Sequence, residues 1–294
     1  MSKILVTGAT GHLGKAIVEA LLKKTSSTRI HVLVRDAAKA ADLIAKGVTV
    51  HEGNYDDHAS LVNAFKGINK VYMVSGNELH KRIQQHYNVV DAAVEAGVKH
   101  LVYTSFQRKN ETETSPIQLV AETHLKTEEK IKSSGLIYTI LEHGIYADMI
   151  PIFAGAHLLE NHTIYLPAGN GKTAYAVRND QAEAGAIILL DESGKYDNES
   201  IELAGPEAVS WGQVADIIKD ITGKPIVYVA PPVDEFNAAL RAAHVPDEVI
   251  GLMAAFSKAA DVGEFDNVNN VMEVILGRKC ITLAAYLQQV YTSK

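Results

Sequence analysis

The stretch ILVTGATGHLG, residues 4–14, decides how the chain folds. Its first four residues form a continuous apolar run, which is typical of a strand buried on both faces. The glycines that follow are spaced G-x-x-G-x-x-G, and apolar residues then recur at helical spacing, as at Leu13, Ile17 and Leu21. A strand, a glycine-rich turn and an amphipathic helix in this order are typical of a dinucleotide-binding βα unit.

Each glycine of this turn has a physical role in such a unit. Gly8 permits the tight turn, Gly11 lets the backbone approach a pyrophosphate, and Gly14 lets the helix pack closely against the sheet. The unpaired N–H groups at the start of the helix, together with the positive end of its dipole, then face the phosphates. A tight turn without a ligand is the alternative interpretation.

The first half of the chain continues to alternate strands with helices. Further strands are predicted at residues 30–34, 48–52, 70–75, 100–105 and 136–141. The helix predicted over 78–96 places four apolar residues on one face: Ile83, Tyr87, Val90 and Val94. Strands that alternate with helices of this length predict an α/β fold with a doubly wound parallel Rossmann sheet. Ligands of such sheets bind beyond the carboxyl ends of the strands.

The second half of the chain has a more mixed pattern. A helix over 178–191 and a capping-box helix start at Ser210 are its clearest signals. We predict an NADP-binding Rossmann domain over residues 1–150 and a smaller C-terminal α/β substrate lobe over 151–294. Residues 174–194 are expected to pack back on the first domain.

Composition limits the class of protein. The chain has 294 residues, 47% of them apolar, which is enough for a large core, and its net charge of −7 disfavours binding to nucleic acid. A single cysteine, Cys280, excludes an internal disulfide and suits a reducing cytoplasm. No segment approaches the roughly 18 apolar residues that span a membrane, and no metal-ligand pattern is present. We expect a cytoplasmic protein without a bound metal.

The end of the second predicted strand indicates which coenzyme is bound. An acidic residue there would bind the ribose hydroxyl of NAD, but this chain has Arg35, followed by Lys39 one helical turn later. A guanidinium suits a 2′-phosphate by its charge and its fork geometry. Asp36 is better explained as the cap of the next helix. The sequence therefore favours NADP(H), and a solvated surface role for Arg35 is the alternative.

Residues 119–130, LVAETHLKTEEK, lie where a short-chain reductase would carry a Tyr and a Lys four residues apart. Here Val120 and His124 have that spacing, and no tyrosine in the chain is followed by a lysine four residues later. The Tyr would protonate the alkoxide made from a ketone, so its absence disfavours simple ketones as substrates. A quinone or another conjugated, electron-poor acceptor spreads the added charge and takes a hydride without that acid.

Several stretches together resemble the NmrA-like, atypical short-chain dehydrogenase/reductases, and among them the type 2 NADPH:quinone oxidoreductases and the triphenylmethane reductases. These stretches are TGATGHLG (7–14), GNYDD (53–57), YTS (103–105), ETHLKTEEK (122–130) and YTILEHGIY (138–146). The glycine loop is common to many relatives. The helix stretch is more specific, because both subfamilies lack the Tyr–Lys pair and have a His at the position of His124.

The resemblance implies a binding site for NADP(H) along the carboxyl edge of the sheet. In the glycine loop the implied contacts are Gly8, Ala9, Thr10, Gly11, His12 and Leu13. The 2′-phosphate is implied to lie on Arg35, with Lys39 beside it, and the adenine near Asn54 and Tyr55. The remaining implied contacts follow the fourth and fifth strands and are Ser75, Gly76, Asn77, Thr104 and Ser105.

Three residues are candidates for catalysis: His124, His143 and Tyr146. His124 shares a helix face with Glu128, so it either contacts the ribose or the acceptor, tuned by that carboxylate, or only packs between helix and sheet. His143 stands in a Glu142-His143 pair where the relatives have an Arg-Asn pair near the nicotinamide.

Aromatic residues near the end of the sixth strand are a further candidate feature. Tyr146, Phe106 and Phe153 either form a wall for a flat acceptor or belong to the core. The position of Tyr146 just past the strand favours the pocket, as it does for His143.

The predicted function is an NADPH-dependent oxidoreductase that transfers hydride directly to a quinone or a similar conjugated acceptor, without flavin or metal. Its partner is then a small aromatic or quinone-like molecule, and a homodimer is the oligomeric state that such folds commonly form. The alternative is a redox sensor of the NmrA type, which binds NADP(H) without catalysis and acts through a protein partner. A sugar epimerase or dehydratase is disfavoured, because that chemistry relies on the absent Tyr–Lys pair.

Overall fold

The computed structural model describes residues 2–292, and its centre is a seven-stranded sheet in the order β3-β2-β1-β4-β5-β6-β9. All six pairings in this sheet are parallel. Its strands are β1 (Ile4–Thr7), β2 (Ile30–Val34), β3 (Thr49–Glu52), β4 (Lys70–Met73), β5 (His100–Phe106), β6 (Ile137–His143) and β9 (Glu199–Leu203). Two small sheets pair β7 (Thr163–Tyr165) with β11 (Val227–Val229) and β8 (Lys172–Thr173) with β10 (Val209–Ser210).

The helices of the first half are α1 (His12–Leu22), α2 (Ala41–Ala45), α3 (His58–Phe65), α4 (Leu79–Glu95) and α5 (Gln118–Lys132). Those of the second half are α6 (Ile150–Ala154), α7 (Leu158–Asn161), α8 (Arg178–Leu190), α9 (Trp211–Thr222), α10 (Val233–Ala242), α11 (Asp247–Asp261), α12 (Val271–Leu276) and α13 (Leu283–Thr292). Among residues 2–292, no helix has both the length and the apolar character needed to cross a bilayer.

Helices cover both faces of the central sheet, which confirms the predicted doubly wound fold. One face packs against α1, α8 and α12, and the other against α3, α4 and α5. The strand order reverses between β1 and β4, and the crevice above such a reversal is where ligands bind in open α/β sheets. The glycine loop after β1 and the loop after β4 form the walls of this crevice.

Two strands run further than the sequence predicts. β5 continues through Phe106 and β6 through His143, so that Ser105 pairs with Glu142 and Phe106 with His143. Glu142 also pairs with Glu202 on β9. At β6 the polar Glu142 and His143 hide the end of the strand from a hydrophobic pattern. As a result His143 lies inside β6, and the prediction that it follows the sixth strand is wrong; Thr104 and Ser105 lie within β5, inside the predicted strand 100–105 rather than after it.

The buried face of α4 also differs from the predicted one. Val94 is 46% exposed, whereas Arg82, Gln85 and His86 are buried together with Val89. The apolar face was predicted incorrectly because these three polar side chains find hydrogen-bond partners on other elements, which offsets the cost of burying Gln85 and His86 and satisfies part of the Arg82 guanidinium without balancing its charge.

The second half of the chain contributes to two cores. Its strand β9 joins the main sheet and α8 packs on α1, whereas α9, α11 and α13 enclose a separate cluster with Trp211 and Phe265. The predicted capping box at the start of α9 is confirmed, since Ser210 and Gln213 cap each other's backbone. The division into two lobes at residue 150 stays a prediction. If it is kept, β9 and α8 belong to the first lobe, because they pack with the main sheet and with α1.

Candidate functional site

The glycine loop forms a close-fitting turn against the start of α1. Gly8 has a φ of +61°, and its carbonyl accepts a hydrogen bond of 2.9 Å from the Gly11 N–H. A Cβ at Gly14 would lie 2.2 Å from the Gly8 carbonyl oxygen, so no side chain fits there. Gly11 begins the helix without a side-chain cap, which leaves the first N–H groups of α1 available to an anion.

The predicted loop contacts divide into two groups. Gly8, Thr10, Gly11 and His12 are exposed, whereas Ala9 is 1% and Leu13 is 4% exposed. The side chains of these two buried residues therefore anchor the loop in the core, and only their backbone atoms remain for a ligand.

Arg35 and Lys39 follow β2 and are both exposed. Neither side chain has an ion pair or a hydrogen bond in the described part of the chain, and the Lys39 N–H donates to the Asp36 carbonyl at 3.2 Å. Asp36 accepts a hydrogen bond of 3.0 Å from the Ala38 N–H, which confirms that it caps the next turn. Two unpaired cations therefore stand beside the crevice, and their carboxylate neighbour is engaged elsewhere.

Tyr55 joins the loop after β3 to the end of β4. Its hydroxyl donates to the Val74 carbonyl at 2.7 Å, and the Val74 N–H donates to Thr7 at 2.9 Å. Burial raises the pKa of Tyr55 above its ordinary value. Asn54 is half-buried and caps its own turn by accepting from the Asp56 N–H at 2.8 Å. Both residues lie on the same side of the crevice as Arg35.

The loop of Ser75, Gly76 and Asn77 is held in place by hydrogen bonds from side chains of β5 and α4. The Ser75 N–H donates to Thr104 Oγ1 at 2.8 Å. The Gly76 N–H donates to His86 Nε2 at 3.0 Å, and the Gly76 carbonyl accepts from Arg82 Nε at 2.7 Å. Both polar groups of the Gly76 backbone are thus fixed by α4, and Thr104 acts on the loop from inside β5.

His124 is 4% exposed and belongs to a buried network. Arg82 can only donate hydrogen bonds, so His124 Nε2 accepts from Arg82 Nη1 at 3.4 Å, and its Nδ1–H donates to Tyr103 at 2.7 Å. Burial, and then the charge of Arg82, holds the pKa of His124 well below its usual value. The imidazole is therefore neutral, and both of its nitrogens are engaged inside the protein.

Glu128 is directed away from His124. It forms a bidentate pair with Arg108, with both N–O distances at 2.9 Å, and it also accepts from the Ser105 hydroxyl. Glu128 therefore does not hydrogen-bond to His124, and the expected direct effect of this carboxylate on the His124 imidazole is not supported. Ser105 is 4% exposed and its hydroxyl is engaged by this carboxylate.

His143 lies on the opposite face of the sheet, towards α8. It is 1% exposed, and neither ring nitrogen has a hydrogen-bond partner in residues 2–292. Burial, and then the charge of Arg178, lowers the pKa of His143 to about 3. On this face the hydroxyl of Tyr72 and Oε1 of Gln181 are also buried, and neither has a hydrogen-bond partner among the described residues.

Tyr146 packs edge-on against His143, with ring centroids 6.0 Å apart. The Arg178 guanidinium lies 3.7 Å from the centre of the Tyr146 ring, and Asp148 holds that guanidinium through two hydrogen bonds of 2.6 and 2.8 Å. Burial raises the pKa of Tyr146 to about 12. The ring is thus a fixed surface, and its hydroxyl is protonated at neutral pH.

The three aromatic residues expected to form one wall pack on different partners. Phe106 stacks on His124 at 6.0 Å and contacts Phe265 edge-on at 5.9 Å, whereas Phe153 stacks on Trp211 at 6.4 Å. Phe106 alone of the three is joined by ring contacts to the buried network around His124.

Sequence reasoning missed Arg82, Arg108 and Arg178, which organise the three polar clusters of the site. One signal for Arg82 was present: with Gln85 and His86 it forms a polar i, i+3, i+4 group in the middle of a helix. Such a group indicates either a solvated face or a buried polar network, and the sequence does not distinguish them.

The residues present fit a bound NADP(H). The crevice has a glycine turn that packs too closely against α1 for a Cβ at position 14, an uncapped helix start, and two cations beyond β2 whose side chains have no partner among residues 2–292. The glycine turn and the helix start match a pyrophosphate, and the two cations match a 2′-phosphate.

Comparison with known proteins agrees with this geometry. The chain matches the NmrA-like family over residues 1–287. It is 35% identical to quinone oxidoreductase 2 of Escherichia coli over 289 residues, which cover 98% of each chain. The solved NADPH-dependent quinone oxidoreductase of Escherichia coli, complexed with NADPH, superposes with a TM-score of 0.91 at 34% identity and covers 98% of this chain and 100% of its own.

A second solved structure is similar to the same extent. The triphenylmethane reductase of Citrobacter sp., complexed with NADP(H), has a TM-score of 0.89 at 33% identity, with 98% of this chain and 99% of that chain covered. The similarity therefore extends through both halves of the chain and includes the crevice.

Proposed function

The chain belongs to the NmrA-like family, and on that premise we propose that it is an NADPH-dependent oxidoreductase that transfers hydride to a quinone or a similar conjugated acceptor. The observation that carries this proposal is the full-length similarity to quinone oxidoreductase 2, in a chain whose coenzyme loop is intact. Relatives that reduce such acceptors bind the coenzyme on the same fold.

The proton chemistry of the site supports this class of acceptor. His124 and His143 are neutral and buried, and the pKa of Tyr146 is raised to about 12, so none of the three is matched to donate a proton at neutral pH. When bound, NADPH supplies the hydride. A quinone needs no acid at that moment, because its ring delocalises the added charge and water protonates the product afterwards.

We assign the coenzyme contacts as the resemblance implied them. Gly8 to Leu13 would hold the phosphates, and Arg35 with Lys39 would hold the 2′-phosphate. Asn54 and Tyr55 would flank the adenine. The loop of Ser75, Gly76 and Asn77, supported by Thr104, would line the middle of the crevice.

The acceptor end of the site is assigned by the same reasoning. Tyr146, fixed by Arg178, would provide a flat contact for the acceptor, with His143 packed against it. His124 would act indirectly, because both of its nitrogens bind protein groups, and the hydroxyl of Ser105 is held by Glu128.

Stopped-flow mixing of the protein with NADPH and benzoquinone tests the proposed function. We expect the absorbance of the reduced nicotinamide to fall in a quinone-dependent way, faster than in a mixture without protein. If this absorbance does not fall faster when quinone is present, the proposal is wrong. Similar affinity for NADPH and NADP⁺ with no turnover across a panel of quinones would instead support the sensor.

Two further proposals concern where the protein acts and in what state. We propose a cytoplasmic enzyme, since its one cysteine, Cys280, is buried and has no disulfide partner. We propose a homodimer, which light scattering at several protein concentrations distinguishes from a monomer.

A further inference from the structure

Arg82 is a buried arginine at the carboxyl edge of the sheet. It is 7% exposed, and its side chain makes three hydrogen bonds: to the Gly76 carbonyl, to Thr123 Oγ1 at 3.1 Å and to His124. These contacts join the loop after β4 to α5. The guanidinium thus lies between the crevice loop and the helix that borders it.

The positive charge of Arg82 has no counterion in the described part of the chain. No carboxylate forms an ion pair with it, and no hydrogen bond joins its Nη2 to another described residue. Burying an uncompensated charge costs several kcal/mol. The other arginines of the site avoid this cost, because Arg108 pairs with Glu128 and Arg178 with Asp148.

The rings around Arg82 do not supply the missing negative charge. His86 donates its Nδ1–H to Thr127 and accepts from Gly76, and burial, followed by the charge of Arg82, lowers its pKa to about 3. His124 is neutral for the same two reasons, and burial raises the pKa of Tyr103. All three rings are uncharged at neutral pH, so the cation remains unbalanced.

We propose that Arg82 stabilises an aromatic oxyanion, the phenolate oxygen that a quinone acquires when it is reduced in the crevice. This inference rests on the proposed function. The position supports it: Arg82 holds the Gly76 loop above β4, at the edge where ligands of a doubly wound sheet bind. Arg82 would then attract the charge that forms during the reaction, at a site where burial strengthens the interaction.

The chemical step balances without another reactant. The hydride carries two electrons and one proton from the dihydronicotinamide to the quinone, which becomes a hydroquinone monoanion. The coenzyme becomes NADP⁺, and one proton from water then converts the monoanion to the neutral hydroquinone. The negative charge exists between these two events, and an uncompensated guanidinium favours it at that stage.

A phenolate dye tests this role without turnover. 4-Nitrophenol changes its absorbance when it ionises, so its pKa can be measured on the NADP⁺ complex of the wild type, Arg82→Met and Arg82→Lys. We expect the wild type to lower the pKa of the bound dye by about one unit, a tenfold change in the phenolate-to-phenol ratio. Arg82→Met should abolish this shift and Arg82→Lys should keep part of it. Equal titration curves for wild type and Arg82→Met would overturn the proposal.

Single-turnover kinetics supply the second measurement. At saturating NADPH, Arg82→Met should slow the hydride step to benzoquinone by about 10²-fold, the loss typical of one removed oxyanion donor, and should change the Kd of NADPH less than the hydride rate. A weaker Kd with an unchanged rate would assign the charge to a coenzyme phosphate and contradict the proposal. If the wild type shifts the dye but reduces no quinone, the proposed acceptor is wrong and the anion site stands.

Arg241→Met is the matched control. Arg241 is exposed on α10 and forms an ion pair with Asp247 of α11, so the same substitution there removes a positive charge away from the crevice. It should leave the dye titration and the hydride rate unchanged. Arg82→Gln, which keeps amide donors but no charge, replaces Arg82→Met if that variant does not fold, and the same outcomes decide.

Discussion

Two arginines contact successive turns of α5, and both are buried. Arg108 reaches Glu128, with both N–O distances at 2.9 Å, and the two side chains are 3% and 5% exposed. Arg82 reaches Thr123 and His124 one turn earlier and, within the described part of the chain, pairs with no carboxylate. The same residue type is thus neutralised at one turn and left charged at the next.

The difference separates a structural ion pair from a charge that is available to a ligand. Arg108 donates to Glu128 and to the Phe106 carbonyl, so it fixes the end of β5 against α5. Arg82 is positioned by groups that do not balance its charge. Proteins avoid such a cation unless something offsets its cost, and a bound anion at the crevice would do so.

The largest expected effect comes from breaking the neutral pair. Glu128→Ala leaves Arg108 with a single carboxylate partner, the largely exposed Glu111 at 3.0 Å, and it should lower the free energy of unfolding by about 3 kcal/mol, the low end of the usual cost of removing one partner of a buried pair. Urea unfolding measures this change. Glu129→Ala is the control, since Glu129 is exposed and next in sequence, and equal losses for the two variants would show that Arg108 does not depend on Glu128.

The next largest effect is expected from acid, which should destabilise the fold by protonating the buried histidines around Arg82. The pKa of His86 is about 3 in the folded protein and about 6.5 in the unfolded chain. The neutral, buried His86 therefore contributes its full stability above about pH 6.5, and this contribution is lost as the pH falls towards 3. His86 alone should remove about 2 kcal/mol between pH 6.5 and 5, and His124 adds to the loss. Unfolding in urea at a series of pH values checks the slope.

Removing Arg82 should flatten that acid slope. Its charge is the second cause, after burial, that lowers the pKa of both His86 and His124. In Arg82→Met both imidazoles should accept a proton at higher pH. An acid slope identical to that of the wild type would show that burial alone keeps them neutral.

Substituting the two arginines themselves should have unequal effects on stability. Arg108→Met should cost about 3–5 kcal/mol, because it strands Glu128. Arg82→Met should change the free energy of unfolding by only about 1 kcal/mol, since the lost hydrogen bonds are offset by removal of an uncompensated charge. Equal losses in denaturant unfolding would contradict the distinction between the two sites.

The smallest effect on stability is expected at Arg35, an exposed arginine without a partner in the described residues. Arg35→Met should change the free energy of unfolding by less than about 0.5 kcal/mol but should reduce the preference for NADPH over NADH by about tenfold, the loss of one charged contact to a phosphate. Steady-state KM values for the two coenzymes measure the preference. An unchanged ratio would remove Arg35 from the 2′-phosphate site.

Features that depend on near neighbours were predictable from the sequence. The β1–loop–α1 unit, the cap at Asp36 and the capping box at Ser210 each involve residues within a few positions, and all three are present. The buried face of α4 was not predictable, because Arg82 and His86 are buried by partners on α5 that are 41 and 42 residues away.

The strand ends show the same limit. β6 extends two residues beyond its predicted end, through Glu142 and His143, because Glu142 pairs with Ser105 on one side and with Glu202 of β9 on the other. A hydrophobic pattern ends where polar residues begin, whereas a strand ends where its hydrogen-bonded neighbours end.

The sequence by itself determined the doubly wound fold, the coenzyme loop with its bias towards NADP(H), and the absence of a Tyr–Lys pair. Each of these depends on residue type and short spacing. Only the tertiary structure decided that Glu128 pairs with Arg108 and not with His124, and that, among residues 2–292, Arg82 has no counterion and the His143 ring has no hydrogen bond. The free energy of a charge depends on every group that surrounds it in space, and a linear pattern does not encode those neighbours.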